Sequence, residues 1–394
     1  MARNRQTEDG TVPHESYSKR LREHGWKNFY TALLILFVIA LLGVAVWYQY
    51  DSHVYTDYDL LYTADLETTP ASQSLRMNRS LLTYSADGAH LTDGTGRISW
   101  NQNYEIQNML MDENGGTVVF AGFNDRDIYV LNETERLGSF NVSSPIRDVA
   151  VSQNGRVTAV LSDSDSAWIN TYSAKGDLLY TGQTHMTGSG YPIALALSPS
   201  GSLLMVSYLY VDSGTVKSTL AFYNLGEVGD NYTDYLVGGQ DYQDQIIPEV
   251  GFLSNSMCYA VGDSRLMLYQ GAEQPTVKAE YLFNEEVLSV FSGNGHVGLV
   301  FASDREGDRY RIKVYNSDGE QEGIYYFSLE YTDVLFEEKD FVIYNEGECL
   351  IRSYSDRTKF EGGFQMSVQQ ILPTDKAYRY VLVTDNTMSG IQLK

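Results

Sequence analysis

Short apolar runs alternate with turn residues along most of the chain, and a five-residue motif marks the beat. Its clearest copy is Leu197-Ser198-Pro199-Ser200-Gly201. Val151-Ser152-Gln153-Asn154-Gly155 and Phe291-Ser292-Gly293-Asn294-Gly295 repeat it, and looser copies start at Leu110, Leu253 and Leu372. Each copy follows one apolar run and precedes another, which is the pattern of strand, tight turn, strand. The runs before the motif predict innermost strands over 108–111, 146–151, 193–197, 249–253, 287–291, 332–336 and 368–372. Their separation, roughly 35 to 55 residues, is the period of a four-stranded propeller blade. Second strands follow each motif. Third strands end in Tyr-Ser or Tyr-Asn, as at Tyr172-Ser173, Tyr223-Asn224, Tyr315-Asn316 and Tyr354-Ser355. Gly176 and Gly319 then stand where a hairpin turn wants a positive φ.

The predicted fold is therefore all-β: a β-propeller of eight four-stranded blades, with seven as the alternative count. An eighth unit lies at the start, with strands over 80–84, 89–92 and 96–100 and a first strand over 60–63. The last unit stops after three strands, so a strand borrowed from the other terminus is expected to close the ring and hide an edge. A sandwich does not repeat at this period. The tyrosines, 31 in all, are expected to pack mainly between blades.

One segment breaks the β pattern. Phe29 to Tyr48 is continuously apolar or weakly polar, and as a helix it would reach about 30 Å, the thickness of a bilayer core. Trp26, Phe29 and Tyr30 flank one end and Trp47, Tyr48 and Tyr50 the other, as interfacial aromatic belts do. A core helix would show a polar face, and a signal peptide would have a shorter apolar region. Lys19, Arg20, Arg22 and Lys27 precede the segment; Asp51, Asp57, Asp59, Asp65 and Glu67 follow it. The positive-inside rule places the N-terminus in the cytoplasm. The expected organisation is a disordered cytoplasmic tail over 1–28, a transmembrane helix over 29–49, a linker over 50–56 and an extracytoplasmic propeller over 57–394. The expected location is the cell membrane, with a single pass.

Charge narrows the partners. The formal net charge is −23, and the tail is slightly basic, so the remainder is more acidic still. Such a domain repels phosphate backbones, which argues against nucleic acid. Its ordinary consequence is solubility. The two cysteines, Cys258 and Cys349, fall in different repeats and read as buried free thiols rather than a bridge.

Ser198-Pro199-Ser200-Gly201 and its copies resemble the Ser-Pro-Asp-Gly turn of WD40-like propellers, including the envelope propellers of TolB and YVTN type. The chain departs from that turn by placing Ser200 where Asp is usual, and most copies lack the proline. The plan of basic tail, single anchor and acidic Tyr/Asn/Gly-rich propeller is similar to a family of single-pass membrane-anchored bacterial propellers, a domain of unknown function. The resemblance implies an envelope location and no assigned activity.

No catalytic motif is assembled. His53, His90, His185 and His296 fall in separate segments without zinc spacing, with His90 on a strand, His296 in a turn and His185 in a loop. No nucleophile elbow or phosphate loop appears. Asn124 to Asp127, Asp163 to Asp165 and Asp304 to Asp308 do not fit the calcium-loop pattern with its glycine and distal glutamate and read as solvated turns. No catalytic residue, cofactor or metal is expected. The chief irregularity is the long unit between Ser198 and Val250, where Tyr232, Tyr235, Asp241 and Tyr242 stand among polar residues. They form the candidate recognition loop, suited to stacking and hydrogen bonding; the alternative is a longer connection with its tyrosines tucked onto the blade. The expected function is a membrane-anchored, non-catalytic scaffold or sensor that binds an envelope protein or cell-wall glycan. The competing expectation is an ectoenzyme, a carbohydrate hydrolase or lyase, with its site at the propeller funnel.

Overall fold

The strands pair into eight four-stranded antiparallel sheets, the blades of an eight-bladed propeller. The structure is a computed structural model describing residue 26 and residues 29–44, 53–68, 72–163, 166–185 and 190–394. Blades 1 to 7 take their strands in order from residues 73–103, 109–141, 146–185, 191–243, 249–282, 289–327 and 333–363. Blade 8 uses 370–393 for three strands and 58–65 for the fourth.

Burial grades outward through each blade. Second strands such as Thr117–Gly122 and Met257–Gly262 are buried at every position. Both faces of these strands meet a neighbouring blade, so they read as continuous apolar runs rather than alternating ones. Fourth strands such as Ile98–Asn103 and Arg136–Asn141 face solvent over most of their length. The core is a circle of eight seams, each made by two adjacent blades. Val119, Ala121 and Val130 of blade 2 meet Val149, Val157 and Leu161 of blade 3, for example. The tyrosines ending third strands serve these seams: Tyr172 and Tyr315 are buried, and Tyr223 and Tyr354 are half-buried.

Because strands alternate in direction, first-to-second and third-to-fourth turns share one end of the propeller. Second-to-third turns and the links between blades share the other. The repeated motif lies at the first of these, here called the turn end. Gly155, Gly201 and Gly295 adopt φ of 83°, 67° and 74° there, a region that glycine occupies without steric cost. The motif also joins blades. Gln153 N–H donates to Pro199 O at 3.1 Å, Asn154 Nδ2 to Ser200 O at 2.6 Å and Ser200 N–H to Asn255 Oδ1 at 2.8 Å.

Ring closure corrects one expectation. Residues 60–63 are not the first strand of the first unit; that strand is Gln73–Met77. They belong to Tyr58–Asp65, which pairs with Thr387–Leu393 as the outer strand of blade 8, from Tyr58 opposite Leu393 to Asp65 opposite Thr387. The borrowed strand thus comes from the N-terminal side. An apolar run identifies a strand, but not which edge it joins. Tyr55 just before it bridges in parallel to Phe360 of blade 7, with N–H to Lys359 O at 2.8 Å. Asp241 and Tyr242 also move: they lie in a regular fourth strand, Leu236–Gln243, rather than in a loop. His296 opens the strand His296–Ala302 instead of sitting in a turn.

The chain divides into two compact units, Met1–His53 and Val54–Lys394. In the first, residues 29–44 are helical. Among the described residues no helix is long and apolar enough to cross a membrane; positions 45–49 of the expected span, and the tail apart from Trp26, lie outside the described residues.

Gly138 has no room for a side chain: a Cβ there would collide with the carbonyl oxygen of Ala174 in the next blade. Gly138→Ala is expected to cost roughly 1–3 kcal/mol and to lower the thermal unfolding midpoint by a few degrees. An unchanged midpoint would mean the seam between blades 2 and 3 is looser than described.

Candidate central channel

The eight innermost strands line a central channel, and their charged residues are Arg76, Asp112, Glu113, Arg147, Asp148, Glu249 and Asp333. Two side chains cross between blades that are not neighbours. Arg76 Nη1 of blade 1 reaches Asp333 Oδ2 of blade 7 at 3.5 Å, passing blade 8. Asp333 also accepts from Tyr344 Oη at 2.9 Å. Asn114 Nδ2 of blade 2 donates to Val151 O of blade 3 and Leu197 O of blade 4, both at 3.1 Å. Asn114 ends its strand at the turn end, so it ties the channel together there.

Four carboxylates occupy the rest of the wall: Glu113, raised by burial with Arg76 opposing, accepts Gly116 N–H at 2.7 Å, and Asp112, Asp148 and Glu249 have no salt-bridge partner among the described residues. Asp112 Oδ2 accepts Val151 N–H at 2.7 Å. Burial pushes its carboxyl up to about 7, the nearby charges of Glu113 and Asp148 add to this, and the Val151 hydrogen bond opposes it. Burial pushes Asp148 up to about 6, against a hydrogen bond from its own neighbour, Val149 N–H, at 2.9 Å. Burial also raises Glu249, which accepts from Tyr259 Oη at 3.3 Å. Tyr259 comes from a second strand and reaches the channel past Gly251, where a Cβ would lie 2.6 Å from its ring. Its own hydroxyl is raised by burial first, then by Glu249, with Asp112 of blade 2 adding its charge from across the channel. Blades 2, 3 and 5 thus direct carboxyls into one space. Near neutral pH, Asp112 can both donate and accept.

These groups are not a metal cage. Among the described residues no three His, Cys, Asp or Glu side chains assemble to hold an ion. Sequence reasoning missed the channel. The available signal was a charged residue inside an otherwise apolar innermost strand, as in Leu110-Met111-Asp112.

The four residues expected to form one recognition loop separate. Residues 225–235 form a connection at the turn end with two short 3-10 turns, Gly229–Asn231 and Thr233–Tyr235. Tyr232 is exposed there and accepts a hydrogen bond from Gln274 of blade 5. Tyr235 packs edge-on against Tyr180 of blade 3 at 5.5 Å. Asp241 is exposed and accepts from Thr219 Oγ1 at 2.7 Å. Tyr242 turns inward, is buried, and shares a 2.5 Å hydrogen bond with Tyr269 in the seam between blades 4 and 5. It packs like the other seam tyrosines and is not part of a surface. Cys258 and Cys349 are free and buried, with thiols raised by burial. His296 stacks on Tyr354 at 4.5 Å. The side chain of His185 and residues 186–189 lie outside the described residues.

This architecture defines an eight-bladed propeller with an acid-lined channel. Residues 51–393 match the family of unknown function DUF5711, and the chain belongs to that family. No curated protein matches its sequence. Among solved structures it is similar to Sqt1 from Chaetomium thermophilum, with a TM-score of 0.51 and 12% identity over 86% of this chain and 100% of that one. BamB from Moraxella catarrhalis gives 0.48 and 11% over 86% and 100%. Hsv2p from Kluyveromyces lactis gives 0.46 and 10% over 79% and 98%. At such identities the likeness speaks for the fold alone.

The raised carboxyl of Asp112 makes a signed prediction. Its ionisation is harder in the folded chain than in the unfolded one. The resulting penalty is absent below about pH 4, grows as pH rises to about 7, and stays constant above. Asp112→Asn keeps an acceptor for Val151 N–H and removes the charge. It is expected to stabilise the propeller by roughly 1–3 kcal/mol at pH 8, with the gain vanishing near pH 4. Denaturant unfolding at both pH values checks this; destabilisation at pH 8 would contradict it.

Proposed function

We propose that this chain is a membrane-anchored, extracytoplasmic propeller that acts as a non-catalytic scaffold or sensor, binding an envelope protein or wall glycan. The anchor part of this reading rests on sequence: the apolar run from Phe29 to Tyr48, its aromatic flanks, and the basic residues before it. The observation that carries the binding part is the rim beside residues 225–235. Tyr232 and Leu236 are exposed there, as are Leu178 and Leu179 on the outer strand of blade 3. Tyr180 follows these two leucines and touches both Tyr223 and Tyr235 of blade 4. Exposed apolar and tyrosine side chains held on a rigid frame are the composition of interface cores.

A crosslinking pull-down of the tagged full-length protein from intact cells tests the reading. One dominant envelope protein, or wall polymer, is expected. Its capture is expected to fall about fivefold or more with Tyr232→Ala/Leu236→Ser, because few contacts dominate an interface. Capture of nothing by the wild-type protein would overturn the scaffold reading. Protease added outside intact cells is expected to digest the propeller; full protection would overturn the topology.

The raised Asp112 and Asp148 carboxyls favour one second reading, a carbohydrate hydrolase or lyase working in the channel. Release of reducing sugar from wall polymer, abolished by Asp112→Asn/Asp148→Asn, would establish it. No release by the wild-type chain would remove it.

A further inference from the structure

We infer that the outer strand of blade 8 rests on the lipid surface of the membrane, with Leu60, Leu61 and Tyr62 in its interfacial layer, so that the propeller stands on edge. The inference rests on the membrane-anchored reading and names a surface separate from the rim at Tyr232.

The strand Tyr58–Asp65 is unlike the other outer strands. Leu60, Leu61 and Tyr62 are 55%, 46% and 39% exposed, and Val54 just before the strand is exposed as well. Among the described residues no other outer strand exposes three large apolar side chains in succession; Leu178 and Leu179 of blade 3 are followed by buried Tyr180. The cause is local. Leu60 pairs with Ile391 and Tyr62 with Gly390, which leaves Leu61 as an extra residue without a partner across the ladder. Such a bulge breaks the alternation that turns every second side chain inward. The ring of Tyr62 lies where a Cβ on Gly390 would stand, and its hydroxyl donates to Gly94 O of blade 1. An apolar outer strand is a liability in water unless something covers it. The same bulge spoils the edge as a template for another strand, which favours a lipid surface over a second copy of the chain.

Chain length points to the same occupant. The apolar run ends at Tyr48, and Tyr55 is seven residues further on. Tyr55 is fixed to the propeller where blades 7 and 8 meet. Its N–H donates to Lys359 O at 2.8 Å, its carbonyl accepts Glu361 N–H at 3.1 Å, and its ring packs on Tyr378 at 5.0 Å. Fully extended, seven residues reach about 25 Å. A domain of this size is about 50 Å across. The seat of Tyr55 is therefore held within about half a diameter of the end of the apolar run, and Leu60 follows five residues later.

Charge sets the kind of contact. Asp57 and Asp59 share the ammonium of Lys394, at 3.5 and 2.5 Å, and Asp65 closes the far end of the strand. The propeller as a whole is acidic, so headgroup phosphates do not attract it. The contact comes instead from leucine and tyrosine, residues suited to interfacial depth. Blade 4 is four places from blade 8 in a ring of eight. A propeller standing on blade 8 holds Tyr232 and Leu236 on the side away from the bilayer, where a partner can reach them.

Full-length protein in phosphatidylcholine nanodiscs tests this. Cys258 and Cys349 are buried, so a nitroxide label attaches to one introduced surface cysteine. Thr63→Cys places it on blade 8 and Gln240→Cys on the outer strand of blade 4. Electron paramagnetic resonance compares collisions with oxygen, which concentrates in lipid, and with a nickel chelate, which stays in water. The oxygen-to-nickel ratio is expected to be about threefold or more higher at position 63 than at position 240. Raising salt from about 50 to 500 mM is expected to leave it unchanged, because an apolar contact is not screened. Leu60→Ser/Leu61→Ser in the Thr63→Cys chain is expected to bring the ratio down to that at position 240. Unfolding curves of each variant exclude loss of fold as the cause. Equal ratios at the two positions overturn the inference. So does dipolar broadening between labels at position 63 of two chains in one disc, which would assign the strand to a second copy. A wild-type chain that fails to co-elute with the discs overturns the anchor reading and the inference together; co-elution with equal ratios overturns the inference alone.

Discussion

Everything in this propeller depends on closing the ring. A four-stranded blade has two apolar faces and cannot bury both alone. Each seam solves the problem for two half-blades, and the last seam exists only if the ends of the chain meet. That meeting is made by Tyr58–Asp65 against Thr387–Leu393. Lys394 also pairs its backbone with Asp57, and its ammonium lies 2.5 Å from Asp59. Tyr55 extends the clasp to blade 7. The acidic residues that follow the apolar segment in sequence are thus partly engaged in clasping the C-terminus.

Close approach between blades has a compositional cause. Glycines stand where a neighbour's backbone or ring must pass: Gly138 against Ala174, Gly251 against Tyr259. Tyrosine is the complementary choice. It fills a seam with its ring and satisfies its hydroxyl at the seam edge, as Tyr242 does with Tyr269 and Tyr208 with Tyr223 at 2.8 Å. The abundance of tyrosine therefore belongs mostly to architecture, while Tyr232 stands exposed outside a seam.

The channel inherits its chemistry from the same geometry. Innermost strands have a free edge, and their backbone groups need partners. Asp112 and Asn114 supply them to Val151 and Leu197. A carboxylate used as a backbone cap inside a protein wall is poorly hydrated, and that burial raises the Asp112 carboxyl although the Val151 hydrogen bond opposes it. A structural task for the wall thus produces an electrostatic property of the cavity.

The sequence by itself determined the blade period, the turn glycines, the all-β class and the need for a borrowed strand. Those features are local: they follow from alternation, motif spacing and backbone preference. It misplaced 60–63 because an apolar run does not say which edge it will pair with. It placed Tyr242 on a surface because an aromatic among polar residues looks alike in a loop and in a seam. Only the tertiary structure brought Asp112, Asp148, Glu249 and Tyr259 into one channel. They come from three blades and more than a hundred residues of chain, and no periodicity links positions whose proximity arises from the curvature of the ring.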